Sequence, residues 1–284
     1  MKTAILFLLL AVPCAVAAQA PPNKLEADFA KAKADYDRDP SSVDNAIWLG
    51  RRLAYLGRFS EAIDTFTQGI LKHPNDARLY RHRGHRYITT RRFDLATEDL
   101  QKASQLIAGK ADEVEPDGAP NKAGIPRSTL QSNIWYHLGL AQYLSGDFTS
   151  ALASYREGMK VSRVNDDMLV ATSDWLYMTL RRLKRDAEAR QVLEPIREQM
   201  DVIENGAYHA RLLMYKGLRT PESVLNLNTA DDIQIATQGY GVGNWYLVNG
   251  DRAKARSMFD RVLAGKATTA FGYIAAEVDV KRGF

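Results

Sequence analysis

The side chains best suited to chemistry are concentrated between residues 78 and 92, where six arginines and two histidines occur without one acidic residue. On a helix, one sector of about 100° carries Arg78, Arg81, His82, His85 and Thr89. Such a row of guanidinium and imidazole groups can bind an anionic partner, either an acidic protein segment or a terminal carboxylate. The same pattern also fits a solvated charged face, so both interpretations stay open.

Clustered histidines suggest a second chemistry, because neutral imidazole nitrogens are good ligands for transition metals. His82 and His85 are joined by His137 further along the chain, and no carboxylate or thiol nearby completes a set of ligands. We therefore predict no metal site and no cofactor. A metal or small-ligand carrier is the least favoured of three functional hypotheses.

Signatures of catalysis are missing from the sequence. It has no His-Glu-x-x-His, no Gly-x-Ser-x-Gly and no Gly-x-x-x-x-Gly-Lys motif. Gly239, Gly241 and Gly243 resemble a nucleotide-binding loop only superficially, because they follow no predicted strand and fit close helix packing better. The formal net charge of +4 is too small by itself to imply nucleic acid. We predict a protein without enzymatic activity.

The elements that must position these side chains repeat along the chain. A glycine, a phenylalanine and an alanine recur 34 residues apart, and again after a further 55 residues, which is one period plus an insertion of 21. The three sets are Gly50, Phe59, Ala62; Gly84, Phe93, Ala96; and Gly139, Phe148, Ala151. Each copy has the apolar spacing of two amphipathic helices, which cannot bury their apolar faces without neighbouring copies.

This pattern resembles the tetratricopeptide repeat (TPR). Good copies begin near residues 43, 77, 132 and 236, and poorer ones near Val170 and Ile203. The resemblance implies an all-α, right-handed superhelical solenoid in which the first helix of each repeat lines a concave groove. Positions that match groove-facing ones are Arg51, Arg78, Arg81, His82, His85, Tyr136 and His137. Arg83 occupies a usually apolar position and needs a compensating partner, which favours a functional basic groove.

The resemblance divides the chain into six parts. Residues 1–18 are a signal peptide, and 19–41 are a linker with a capping helix. Repeats 1 and 2 occupy 42–106, and repeats 3 to 6, two of them degenerate, occupy 129–265. Residues 266–284 form a second capping helix. Between repeats 2 and 3 lies an acidic, Pro- and Gly-rich segment, 107–128, that we expect to be a flexible loop.

The first 18 residues have the features of a secretory signal. Lys2 precedes an apolar run that is too short to span a bilayer, and small residues suitable for cleavage follow it. The sequence therefore predicts an exported protein, periplasmic or extracellular, without a transmembrane segment. Cys14 could be a lipidation site, but Pro13 just before it argues against lipid anchoring.

Together these features favour a non-catalytic scaffold that binds a protein or peptide segment, such as an acidic one, in the concave groove. The alternative is a structural homo-oligomer of the cell envelope. Because the acidic loop emerges beside the basic groove, we also expect it to fold over Arg78 and Arg81 and compete with an acidic partner. The known carboxylate clamp of the family is not reproduced, since Ile47, Arg51 and His82 stand at its positions.

Overall fold

The computed structural model describes residues 23–118, 120–121 and 123–284. The predicted signal peptide, including Cys14, lies outside these residues. The described part contains fourteen α-helices: α1 (Lys24–Arg38), α2 (Val43–Tyr55), α3 (Phe59–Lys72), α4 (Ala77–Thr89), α5 (Phe93–Leu106), α6 (Leu130–Ser145), α7 (Phe148–Val161), α8 (Asp166–Arg182), α9 (Asp186–Val192), α10 (Gly206–Tyr215), α11 (Pro221–Val224), α12 (Asp232–Val248), α13 (Arg252–Leu263) and α14 (Phe271–Arg282).

Helix boundaries follow from local chemistry. The Ser42 hydroxyl and the Asp76 carboxylate accept backbone N–H groups at the starts of α2 and α4. A capping box formed by Thr129 and Ser132 begins α6. Gly146, with φ of 87°, ends α6 in a left-handed conformation that favours glycine. These signals divide the good repeats into two helices of three to four turns each.

Consecutive helices pack as antiparallel pairs, and small residues set how closely they approach. A Cβ atom on Gly50 would lie 2.4 Å from the ring of Phe66, and one on Gly84 would lie 2.8 Å from Leu100. Since Phe66 and Leu100 are themselves buried, these glycines have no room for a side chain. The predicted all-α architecture of stacked helix pairs is confirmed.

The two degenerate repeats have short second helices, with seven residues in α9 and four in α11. Buried polar contacts stabilise this region, which lacks a long apolar helix face. The buried carboxylate of Asp167 accepts the backbone N–H groups of Ile203, Glu204 and Asn205. Arg211 and Asp174 form a fully buried ion pair. The glycine-rich stretch of α12 fits against this arginine, because a Cβ on Gly241 would lie 2.0 Å from its Cδ. Close helix packing is therefore confirmed as the reason for these glycines.

The last helix, α14, packs on α12 and then returns to the first repeats. A Cβ on Gly272 would lie 2.1 Å from the carbonyl oxygen of Ala236, so the two helices approach each other closely at this glycine. Glu277 of α14 accepts a hydrogen bond from Arg91, which follows α4, at 2.8 Å. The ring of Phe271 also lies 5.2 Å from the ring of His85 on α4. The helix therefore covers part of the concave face that the sequence predicts to be open.

None of the helices in the described residues is both long and apolar enough to cross a membrane.

Candidate functional site: a concave groove occupied by the acidic loop

The loop that leaves α5 is tied down where it meets α6. Val114 and Thr129 form an antiparallel bridge, with the Glu115 N–H donating to Ser128 at 2.9 Å. The Thr129 hydroxyl donates to the Asp112 carboxylate at 2.6 Å. The base of the loop is thus anchored, because its backbone and side chains find partners at the start of the neighbouring helix, and the flexibility of the whole loop stays a prediction.

From this base the loop runs over the inner faces of α2 and α4. Its Glu115 carboxylate lies 3.1 Å from Arg81 Nε and 3.4 Å from His82 Nε2. The amide nitrogen of Asn133 on α6 donates to the same carboxylate at 2.8 Å. Arg81 and Glu115 are each 8% exposed. The loop therefore meets Arg81 as expected, and it buries that side chain as it does so.

The next loop residues contact α2 through their backbone. The Pro116 carbonyl accepts a hydrogen bond from Arg51 at 2.8 Å, and the Gly118 carbonyl accepts one from Arg52 at 2.8 Å. A Cβ on residue 118 would lie 2.0 Å from the hydroxyl oxygen of Tyr55, so a side chain there would require the ends of the Tyr55 and Arg51 side chains to move. These contacts need no particular loop side chain, and a different extended segment could make them too.

The far end of the loop reaches the acidic connection before α10. Asn121 donates to the Glu204 carboxylate at 2.5 Å, and Arg127 donates to Asp201 at 2.6 Å. The loop therefore spans the concave face from α2 to the connection between α9 and α10. The groove that it crosses is basic at one end and acidic at the other, which sequence reasoning missed.

Arg78 differs from its expected role in the groove. Its guanidinium is bound at 2.7 Å by the N-cap carboxylate of Asp76, and at 2.7 Å by Asp44 of α2. The loop carboxylate Glu115 contacts Arg81 instead. Asp76 lies only two residues before Arg78, so this pairing could have been inferred from the sequence.

Arg83 has a structural explanation rather than the functional one favoured above. It forms two hydrogen bonds to Asp99 of α5, both 2.7 Å long, and donates a third to Thr67. The pair joins two adjacent helices, and its charge is compensated within the fold. Arg83 therefore lends no support to a basic binding groove.

Tyr136 and His137 lie on the inner face of α6 but point into polar contacts of their own. The Tyr136 hydroxyl accepts a hydrogen bond from Trp175 at 2.9 Å and lies 2.7 Å from the Tyr208 hydroxyl. His137 is buried, and its Nδ1 donates to the Asn133 carbonyl at 2.6 Å. These two residues help line a cleft of about 240 Å³ between α6, α8 and α10.

Two of the three histidines come together. The rings of His85 and His137 are 4.4 Å apart, and His82 stacks on Phe66. Burial lowers the pKa of each well below its usual range, with the charge of Arg81 or Arg86 adding to this. They are therefore neutral at pH 7. In the part of the chain that the structure describes, no group of three or more His, Cys, Asp or Glu side chains is arranged to hold a metal ion.

Arg86 is the groove residue that the sequence analysis did not single out. No carboxylate lies within ion-pair distance of its guanidinium among the described residues, and the guanidinium makes no hydrogen bond to them. Burial, with the positive charges of Arg81 and Arg51, lowers the pKa of Arg86 to about 10. It belongs to the basic run found in the sequence, but only the fold distinguishes it from its paired neighbours.

A second cleft of about 240 Å³ opens between α2, α4 and the loop. Its lining includes Trp48, Arg51, Arg78 and Val114. Val114 is 60% exposed, and the Arg51 guanidinium lies 4.7 Å from the centre of the Trp48 ring. The groove thus keeps an accessible, partly apolar mouth beside the occupied arginine.

Comparison with known proteins agrees with this architecture. The family model of the tetratricopeptide repeat matches residues 132–165, which span most of α6 and all of α7. Comparison with curated proteins gives no significant match.

Solved structures share the fold at low identity. The Cut9–Hcn1 hetero-tetramer of the APC/C superposes with a TM-score of 0.50 and 16% identity, covering 90% of this chain and 39% of that one. PilF of Pseudomonas aeruginosa gives 0.49 and 16%, covering 89% and 90%. YrrB, a TPR protein with an unusual peptide-binding site, gives 0.46 and 14%, covering 88% and 97%. At this level of identity the likeness concerns the fold alone.

The chain thus contains a tetratricopeptide repeat at residues 132–165, with further paired helices on both sides of it.

Proposed function

We propose that this protein is a scaffold that binds an extended, acidic segment of a partner protein in its concave groove, and that the loop 107–128 occupies the groove until the partner displaces it. The observation that carries the proposal is the seating of the Glu115 carboxylate against Arg81 and His82. In effect the loop is a ligand held in the same chain.

The contacts of the loop indicate what a partner would need. Arg51 and Arg52 bind carbonyl oxygens of Pro116 and Gly118, which any extended backbone can offer. Arg81 binds a carboxylate, which only an acidic side chain or a chain terminus can offer. A partner that makes both kinds of contact gains the hydrogen bonds from Arg51 and Arg52 and the ion pair with Arg81 that the loop makes.

Release of the loop is favoured by how few side chains hold its middle. Between residues 113 and 118, Glu115 is the only residue whose side chain forms a buried ion pair. The neighbouring Val114 is exposed and contributes little burial. Because the loop is tethered at both ends, its effective concentration at the groove is high. A partner must bind tightly enough to overcome this advantage of the loop.

We also propose that the protein acts outside the cytoplasm, since its first 18 residues have the features of a secretory signal. N-terminal sequencing of protein recovered from culture fractions of the host checks this directly. A chain that begins at Met1 in the cytoplasmic fraction would contradict it.

Binding can be tested with the loop's own sequence supplied as a separate peptide. In one variant, residues 113–118 are replaced by Gly-Ser-Gly-Ser-Gly-Ser, which keeps Asp112 on the cap of α6. A fluorescein-labelled peptide of residues 111–118 is titrated against this variant and against the unaltered chain, with fluorescence anisotropy as the readout. We expect the variant to bind at least tenfold more tightly, because its groove is unoccupied.

Two controls make the result specific. Arg81→Gln in the loop-replaced variant removes the carboxylate contact and should abolish binding. Arg92→Gln alters an exposed arginine outside the groove and should leave binding unchanged. Equal, weak binding of the peptide to every variant, with circular dichroism showing them folded, would contradict the proposed function.

A further inference from the structure

Arg51, Arg81 and Arg86 belong to helices α2 and α4, which the loop crosses, but their charges are not equally compensated. Arg81 lies 3.1 Å from the Glu115 carboxylate. Arg51 donates to a neutral carbonyl, that of Pro116. The guanidinium of Arg86 makes no ion pair and no hydrogen bond with the described residues. Two of the three guanidinium groups therefore lack a carboxylate partner among the described residues.

The loop also contains a carboxylate that reaches none of them. Asp117 follows Glu115 by two residues, and its Oδ2 is buried without a hydrogen-bond partner in the described structure. Burial raises the pKa of Asp117, while the charge of Arg51 opposes that shift. A buried, unsatisfied carboxylate oxygen costs free energy, so this contact is left incomplete.

The geometry of the backbone explains why Asp117 falls short. Glu115 is buried, and the Oδ2 of Asp117 two residues later is buried too, which agrees with the alternation of side chains along an extended segment. Pro116 between them keeps its own φ extended and biases Glu115 in the same direction. Gly118 then packs against Tyr55 and Arg51, which fixes the depth of the chain at that point. Asp117 makes no ion pair with Arg51 or Arg86 in the described structure, and a glutamate at this position would reach one methylene further.

Resting on the function proposed above, we propose that the groove has two carboxylate subsites, the first at Arg81 and His82 and the second at Arg51 and Arg86. It would then select a partner segment with acidic residues at positions i and i+2, of which the second is best a glutamate. The loop fills the first subsite and leaves the second unsatisfied. A partner with this pattern therefore gains an ion pair at the second subsite that the loop does not make, and this favours the partner over the loop.

Arg86 is the residue that distinguishes this proposal from a simple basic groove. A partly buried guanidinium without an acidic neighbour does not help the fold, because its charge loses hydration and gains no ion pair. Tyr55, whose hydroxyl lies beside Gly118, offers a further donor to an anion placed there. The second subsite would thus combine two guanidinium groups and a phenol.

The test uses the loop-replaced variant and four labelled peptides with the core Asn-Gln-Val-x-Pro-z-Gly. In these x and z are Glu and Glu, Glu and Gln, Gln and Glu, or Gln and Gln. Anisotropy titrations at 0.15 M salt measure the dissociation constants. We expect the peptide with two glutamates to bind at least tenfold more tightly than either singly acidic one, and the uncharged one not to bind. A fifth peptide with Asp at z should bind less tightly than the one with Glu.

Variants then assign each subsite. Arg86→Gln should remove the preference for Glu over Gln at z and retain the preference at x, and Arg51→Gln should do the same. Arg92→Gln should preserve both preferences.

If the peptide with Glu at x and Gln at z binds as tightly as the doubly acidic one, or if Arg86→Gln has no effect on z, the second subsite is refuted while the proposed acid-binding groove stands. If all four peptides bind alike or not at all, both proposals fail. Circular dichroism melting curves establish that each variant is folded before its binding is interpreted.

Discussion

The Glu115 carboxylate lies 3.1 Å from Arg81 Nε, and both side chains are almost completely buried although one belongs to a loop and the other to helix α4. The pair joins the insertion between repeats 2 and 3 to the inner face of repeat 2. It also accounts for the burial of a cation that an open groove would leave in water. Stability and binding therefore depend on the same contact.

Replacing the loop carboxylate should destabilise the protein. Glu115→Gln removes the negative charge that compensates Arg81 and weakens the bond from Asn133, so we expect the free energy of unfolding to fall by about 1–3 kcal/mol. Urea denaturation followed by circular dichroism measures this. Glu113→Gln, two residues earlier and exposed, is the matched control and should change stability by less than about 0.5 kcal/mol. Equal effects of the two substitutions would mean that the buried pair contributes nothing specific.

Replacing the uncompensated arginine should have the opposite effect. Arg86→Met keeps an unbranched side chain and removes a partly buried charge, so we expect the free energy of unfolding to rise by about 1 kcal/mol. Arg92→Met, at an exposed position, should leave it unchanged within about 0.5 kcal/mol. Loss of stability on Arg86→Met would show that this guanidinium has a structural partner and would remove the reason for assigning it a ligand.

The glycine-rich part of α12 should tolerate no side chain at its centre. Gly241→Ala places a Cβ 2.0 Å from the Cδ of Arg211, which is buried in an ion pair with Asp174 and cannot move freely. We expect a loss of about 2–3 kcal/mol from overpacking. Gly206→Ala, at the start of α10, meets no atom within 4 Å and should be neutral or slightly stabilising. Thermal denaturation of the two variants under the same conditions measures the difference in their stability.

His82, His85 and His137 should make the protein less stable in acid. Their pKa values are lowered in the folded state, so the unfolded chain binds more protons once the pH falls below about 6.5. Each such histidine then costs about 1.4 kcal/mol at pH 5.5. His85→Phe keeps a ring between His137 and Phe271 and removes one titrating group. We expect its unfolding free energy to fall less steeply than that of the unaltered chain between pH 7.5 and 5.5, and parallel curves would contradict this.

Much of the fold is determined by short stretches of the sequence. Ser42, Asp76 and Thr129 cap helices that the apolar periodicity already predicts, and the recurrence of Gly50 as Gly84 locates the close helix contacts. Such features depend on residues a few positions apart, or on a repeated unit that always packs against its neighbour. The pairing of Arg78 with Asp76 is of the same local kind, although the charge pattern alone suggested a free groove residue.

The candidate site was decided by contacts between distant segments. The sequence predicts an acidic loop near a basic helix. It does not predict that Glu115 pairs with Arg81, that the Oδ2 of Asp117 is buried without a hydrogen bond, or that Phe271 of α14 lies beside His85. The position of each carboxylate depends on the path of the whole loop, on the fit of Gly118 against Tyr55 and on the way the last helix returns. The repeats and their caps were thus determined by sequence, and the occupancy of the groove only by the tertiary structure, because burial turns otherwise equivalent surface charges into paired and unpaired ones.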